Sequence, residues 1–177
     1  MKTDKIIKGV RRLLTPTIVA TLYFLFKYGA KVSPRSEVEI SKNLKFGKDC
    51  VVNSFAKIKA SDGPLVIGDR AGIANFCFIS TGEGGINIGD NFICGPNVNI
   101  VSRNYGYAQK DIHLEDMPKT SKGIKIGDNV WIGSGCTIAD GTVLGNNTVV
   151  VANSFVNRRF KNDVIIQGNP AKIILNR

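Results

Sequence analysis

One histidine, His113, serves the whole 177-residue chain. A catalytic zinc held by three imidazoles is therefore excluded. The four cysteines, Cys50, Cys77, Cys94 and Cys136, are too far apart in sequence to form a metal-ligand pair. No cleavable leader is evident, so a reducing cytoplasm is the expected compartment. Aromatic residues make up only 8%, which points to a core of small aliphatic side chains. The longest uncharged apolar run, Leu13 to Phe26, has 14 residues, short of the roughly 20 that a membrane-spanning helix needs. Acids number 14 against 24 bases, a formal charge of +10. No nucleic-acid-binding motif accompanies that charge, so nucleic acid is the least favoured partner.

The excess charge is unevenly placed. Residues 1–48 carry eleven Lys or Arg against Asp4, Glu37 and Glu39, and the remainder is nearly balanced. A basic end favours anionic partners such as a membrane surface or a phosphorylated ligand. Nineteen glycines imply many tight turns.

What the chain does have is a period of six. "IGDNVW", "IGSGCT", "IADGTV", "LGNNTV" and "VVANSF" run from 126 to 155, with Ile126, Ile132, Ile138, Leu144 and Val150 six apart. Val130, Cys136, Thr142 and Thr148 stand four after the aliphatic residue. The same register runs through Ile40, Phe46, Val52 and Ile58, then Ile67, Ile73 and Ile79, then Ile88, Cys94 and Ile100. The gaps from Ile58 to Ile67 and from Ile79 to Ile88 are nine residues, one unit plus a bulge at a Gly-rich corner. Six residues make one short strand and one turn, so three units close a triangular coil. Stacked coils pair their strands in parallel, about 4.8 Å apart. The pattern predicts an all-β solenoid, a parallel β-helix, with the aliphatic residues and all four cysteines inside. Buried cysteines are read as space-filling thiols.

"IGDNVWIGSGCTI" followed by "QGNPAKII" resembles the hexapeptide-repeat acyltransferases, over roughly residues 38–175. The likeness is nearest to the branch holding maltose and galactoside acetyltransferases and polysaccharide O-acetyltransferases. The resemblance implies a left-handed coil, a homotrimer, and transfer of an acetyl group from acetyl-CoA without a metal. It divides the chain into an N-terminal helical segment, 1–35, and a β-helix, 36–177, with a projecting loop at 101–123. In the family that loop carries the histidine that removes the acceptor's proton. Here Tyr105 stands at the family position, and His113 lies eight residues later. A general base works best with a pKa near the working pH, which suits an imidazole far better than a phenol. His113, Tyr105 and Asn75, in "ANF", are the candidate catalytic residues; the Asn matches a family position that holds the acceptor or the oxyanion. Trp131, Gly133, Ser134 and Ala152 match the edge along which the pantetheine arm lies. Arg158, Arg159 and Lys172 match the end where the nucleotide of CoA binds, and their charge suits its phosphates.

Two readings of function follow. The first is an acetyl-CoA-dependent O- or N-acetyltransferase acting on a sugar of a surface polysaccharide or its precursor. The second, favoured by Tyr105, is an inactive hexapeptide-repeat protein that binds sugar or CoA or acts as a scaffold. A sugar-nucleotide pyrophosphorylase on this fold would need a further nucleotide-binding domain for which the chain has no room. At the N-terminus, "MKTDKIIKGVRR" sets Ile6, Ile7 and Val10 among five cations ahead of the apolar run. This reads either as a peripheral anchor on the anionic inner face of the cell membrane or as a helix that caps the open end of the solenoid.

Overall fold

A computed structural model describes residues 17–107, 109–113 and 115–177. The basic segment ahead of Thr17, including Pro16, lies outside the described residues. The described chain forms a parallel β-helix whose three sheets hold eight, six and six strands. Sheet one runs from Lys31–Val32 through Val51–Val52, Gly72–Ile73, Ile93–Cys94, Trp131–Ile132 and Val149–Val150 to Val164–Gly168. Sheets two and three are reached by turning a corner after each short strand.

The register explains the six-residue period. In Leu65–Ile67, Ile86–Ile88 and Ile124–Ile126 the middle residue faces out and its neighbours face in. Parallel pairing aligns Ile67 with Ile88, and Ile88 with Ile126, so each aliphatic residue lies on its counterpart in the next coil. From Phe46 to Val150 every aliphatic position of the period is buried, as are all four cysteines. Ile40 departs from the expectation. It is 42% exposed, and Val38 fills the interior of that coil, because the corner leading to Leu44–Phe46 begins before Ile40 and turns it outward.

The corner between sheets three and one shows why "Gly-Asp" and "Gly-Asn" recur. Asp69, Asp90, Asp128, Asn146 and Asn162 each accept, through Oδ1, the backbone N–H of Lys48, Asp69, Asp90, Asp128 and Asn146 in the preceding coil, at 2.8–2.9 Å. These N–H groups would otherwise be left without a strand partner. The preceding glycine makes room: a Cβ on Gly89 would lie 2.3 Å from Asp128 Oδ1 and 2.7 Å from the carbonyl carbon of Gly127. A second ladder uses the next residue, where Asn91, Asn129 and Asn147 adopt the left-handed conformation and bond side chain to side chain. Asn tolerates that conformation better than most residues.

The two ends of the solenoid are built differently. At the N-terminal end the helix Thr17–Tyr28 buries Phe24, whose ring packs edge-on against Phe46 at 5.4 Å and stacks with Tyr28. The Tyr28 hydroxyl donates to Leu44 O. Gly29, with φ 68°, ends the helix. At the far end Val164–Gly168 turns back into Ala171–Asn176, pairing antiparallel.

Candidate active site

The corner between sheets one and two gathers much of the sequence-derived site. Asn75, Pro96, Ser134 and Ala152 stack there in successive coils. Asn97 N–H donates to Asn75 O at 3.1 Å, Gly135 N–H to Pro96 O at 3.0 Å, and Asn153 N–H to Ser134 O at 2.9 Å. Ala152 fits beneath Gly133: a Cβ on Gly133 would lie 2.5 Å from Ala152 N. Small residues thus keep the coils close and the outer edge shallow. Trp131 stands outward on the adjoining strand between Ile93 and Val149, which flank it in register. Its indole is 56% exposed. Asn75, Trp131, Gly133, Ser134 and Ala152 therefore share one edge. Lys172 lies on the last strand of the same sheet, paired with Gln167.

Arg158 and Arg159 lie elsewhere. Arg158 is exposed beyond the strand Phe155–Val156 of sheet two, and Arg159 points outward on sheet three beside Val143. Arg159 lines a groove of about 480 Å³ with Val66, Asn87, Lys122, Lys125 and Val143. Lys122 and Lys125 were not singled out from the sequence. The signal lay in the coil offset, which stacks Lys125, Val143 and Arg159 in one outward column.

The loop leaves the third corner, between sheets two and three. Its root is fastened: Ser121 Oγ donates to Ser102 O, Gly82 N–H donates to Ser102 Oγ and Gly84 N–H to Ser121 Oγ. Asp140 accepts the N–H groups of Lys122 and Gly123 at 2.8–2.9 Å. Farther out, Asn104–Tyr105 pairs antiparallel with Lys119–Thr120, and Met117 is buried. The Lys119 ammonium lies 5.0 Å from the centroid of the Tyr105 ring. His113 is exposed on the outer part, where its carbonyl accepts Asp116 N–H. Within one chain the loop residues Tyr105 and His113 and the Asn75–Trp131 edge thus occupy different corners of the prism.

The sequence reading also missed the pair Phe55 and Phe76. Both have positive φ, 63° and 60°, which is strained for bulky side chains. Their rings stack at 5.1 Å and 10°, and each is more than half exposed. They continue the Asn75 edge. A phenylalanine where the repeat places Asn or Gly is the signal that marks them.

Cys77 and Cys94 approach within 3.7 Å, Sγ to Sγ. The hydrogen bond to Cys77, and then burial, push the Cys94 thiol well up. Burial pushes Cys50 and Cys136 up as well. Among the described residues no group of three or more His, Cys, Asp and Glu converges on a metal site.

The family model for the bacterial transferase hexapeptide (six repeats) matches residues 123–158. The chain is 23% identical over 177 residues to WbbJ of Escherichia coli, a candidate lipopolysaccharide biosynthesis O-acetyl transferase, covering 94% of this chain and 87% of that one. It is 32% identical to the galactoside O-acetyltransferase of E. coli over 57% of this chain, and spans about half (49%) of that relative. In fold it is similar to AntD, an N-acyltransferase from Bacillus cereus solved with dTDP and 3-hydroxybutyryl-CoA: TM-score 0.75 at 19% identity, covering 84% of this chain and 80% of AntD. The repeat, the stacked coils and these relatives converge on the bacterial transferase hexapeptide repeat, which the chain carries at residues 123–158.

Proposed function

We propose that the chain transfers an acetyl group from acetyl-CoA to a hydroxyl or amino group on a sugar of a bacterial surface polysaccharide or its precursor, in the cytoplasm. The observation that carries this reading is the single edge shared by Asn75, Trp131, Ser134 and Ala152. The acceptor oxygen or nitrogen attacks the thioester carbonyl. A C–O or C–N bond forms, the C–S bond breaks, and CoA leaves as its thiol with the proton the acceptor gives up. Trp131 offers a flat apolar wall to the pantetheine arm. In this reading the Asn75 amide donates to the developing oxyanion. Lys172, on the Trp131 side, suits phosphates of a nucleotide, and the cations Lys122, Lys125 and Arg159 form a separate basic groove on sheet three.

The proton acceptor belongs to the loop, with His113 in that role. Since the loop leaves a different corner from the Asn75 edge, the complete site requires a second copy, and a homotrimer supplies one at each interface. The relatives support a sugar acceptor: one is named for galactoside O-acetylation, another for lipopolysaccharide biosynthesis.

A CoA-release assay against sugars, sugar nucleotides and lipid-linked glycans tests the activity. Trp131→Ala should raise the KM for acetyl-CoA about tenfold or more, in keeping with loss of a large aromatic contact. The second reading, an inactive protein that still binds CoA or sugar, draws on Tyr105 at the family histidine position. Calorimetric CoA binding with no release from any acceptor would establish it instead.

A further inference from the structure

The helix Thr17–Tyr28 uses one face to cap the solenoid, and that face is packed by Phe24, with Ala20, Tyr23 and Tyr28 half-buried beside it. At about 3.6 residues per turn, Ile18, Val19, Leu22, Leu25 and Phe26 fall on the opposite side. They are between 42% and 83% exposed, Phe26 most of all. Five adjacent large apolar side chains facing solvent need a cover. Capping therefore accounts for half of the helix and leaves the other half unexplained.

The charge around this end says what the cover is. Lys27 closes the helix, and the first coil beneath it exposes Lys31, Arg35, Lys42, Lys45 and Lys48. The acids of that coil are largely engaged or few: Glu37 pairs with Lys57 at 2.8 Å, Glu39 accepts Ala60 N–H at 3.0 Å, and Asp49 is exposed. The sequence ahead of the helix adds Lys2, Lys5, Lys8, Arg11 and Arg12 against Asp4. A second copy docking here would set cations against cations. A helix with an apolar stripe, carrying no charge before Lys27 and standing on a basic coil, matches the boundary of an anionic bilayer instead. Among the described residues no helix is long and apolar enough to cross a membrane, so the contact would be peripheral.

We infer that the outward stripe of this helix, Ile18, Val19, Leu22, Leu25 and Phe26, lies in the interface of an anionic lipid bilayer, with the basic first coil against the headgroups. The solenoid then stands with its N-terminal end on the membrane.

The test is co-sedimentation of the full chain with phosphatidylcholine vesicles, with and without phosphatidylglycerol, at low and high salt. Binding should require the anionic lipid and weaken with salt. Leu22→Ser with Phe26→Ser, two exposed positions, should lower partitioning by at least about tenfold without altering circular dichroism or particle size. Lys42→Glu with Lys45→Glu, two exposed cations, should lower it as well. Absence of binding to anionic vesicles at low salt would overturn the inference. So would equal binding by the serine variant, or its conversion to a smaller particle, which would identify another copy of the chain as the cover. These readouts measure binding and size alone, so they stand whether or not the chain proves to transfer acetyl groups.

Discussion

His113 and Tyr105 share a loop but not a setting. Tyr105 is held on a two-strand ladder under Lys119, whereas His113 is exposed farther along. With His113 as base, His113→Ala should cut turnover by roughly 10²–10⁴ while calorimetric CoA affinity stays near normal; unchanged turnover removes it from the mechanism. Tyr105→His in the same assay should raise the rate, because it restores an imidazole at the family position on the better-anchored part of the loop. The cysteines give a second residue-level expectation. A thiol reacts as its thiolate, and Cys50, Cys94 and Cys136 are both buried and shifted upward. These three should resist a soluble disulfide reagent at neutral pH in the folded protein and react once it is unfolded. Fast labelling of any of them in the native state would contradict the buried arrangement.

At the scale of the element, the corner between sheets three and one is a ladder that spans the coils. Loss of one rung reaches its neighbours, since the side chain that accepts from the coil before belongs to a residue that donates to the coil after. Gly89→Ala would push a methyl group into Asp128 Oδ1 and the Gly127 carbonyl, breaking the Asp90–Asp128 rung. The expected loss is about 2–4 kcal/mol, measured by urea denaturation; a loss under about 0.5 kcal/mol would mean that the corner yields freely. The six-residue period was legible because each inward position is repeated by the coil above. Ile40 was misread because the period alone does not mark where a corner starts. Phe55 and Phe76 were missed for a related reason: the repeat identifies inward positions and says little about which outward residues meet.

For the whole molecule, the decisive fact is that a triangular prism separates its corners. The loop with Tyr105 and His113 stands on one, and Asn75, Ser134 and Ala152 on another. A lone chain could bind a ligand along one edge but could not enclose it. Light scattering should therefore report three copies of the 19.2 kDa chain at micromolar concentration. A monomer that nevertheless turns over acetyl-CoA would show that one chain suffices. The apolar side chains exposed near the Asn75 edge, Val51, Phe55, Phe76, Ile93 and Trp131, are suited to be covered in such an assembly.

The sequence by itself determined the coil. A side chain that must point inward every six residues, with Gly, Asn or Asp at the turns, leaves the backbone little choice but to stack in parallel, so the interior was readable from spacing, and the family resemblance from the residues of its motifs. Tertiary structure alone decided which outward residues became neighbours. It joined Lys122 and Lys125 to Arg159 across coils, put Arg158 and Arg159 on a different side from Trp131, and turned one flank of the N-terminal helix outward. The physical reason is that outward positions carry no periodic demand for burial; their company is fixed by coil length and corner geometry, and these become definite only once the coils are stacked.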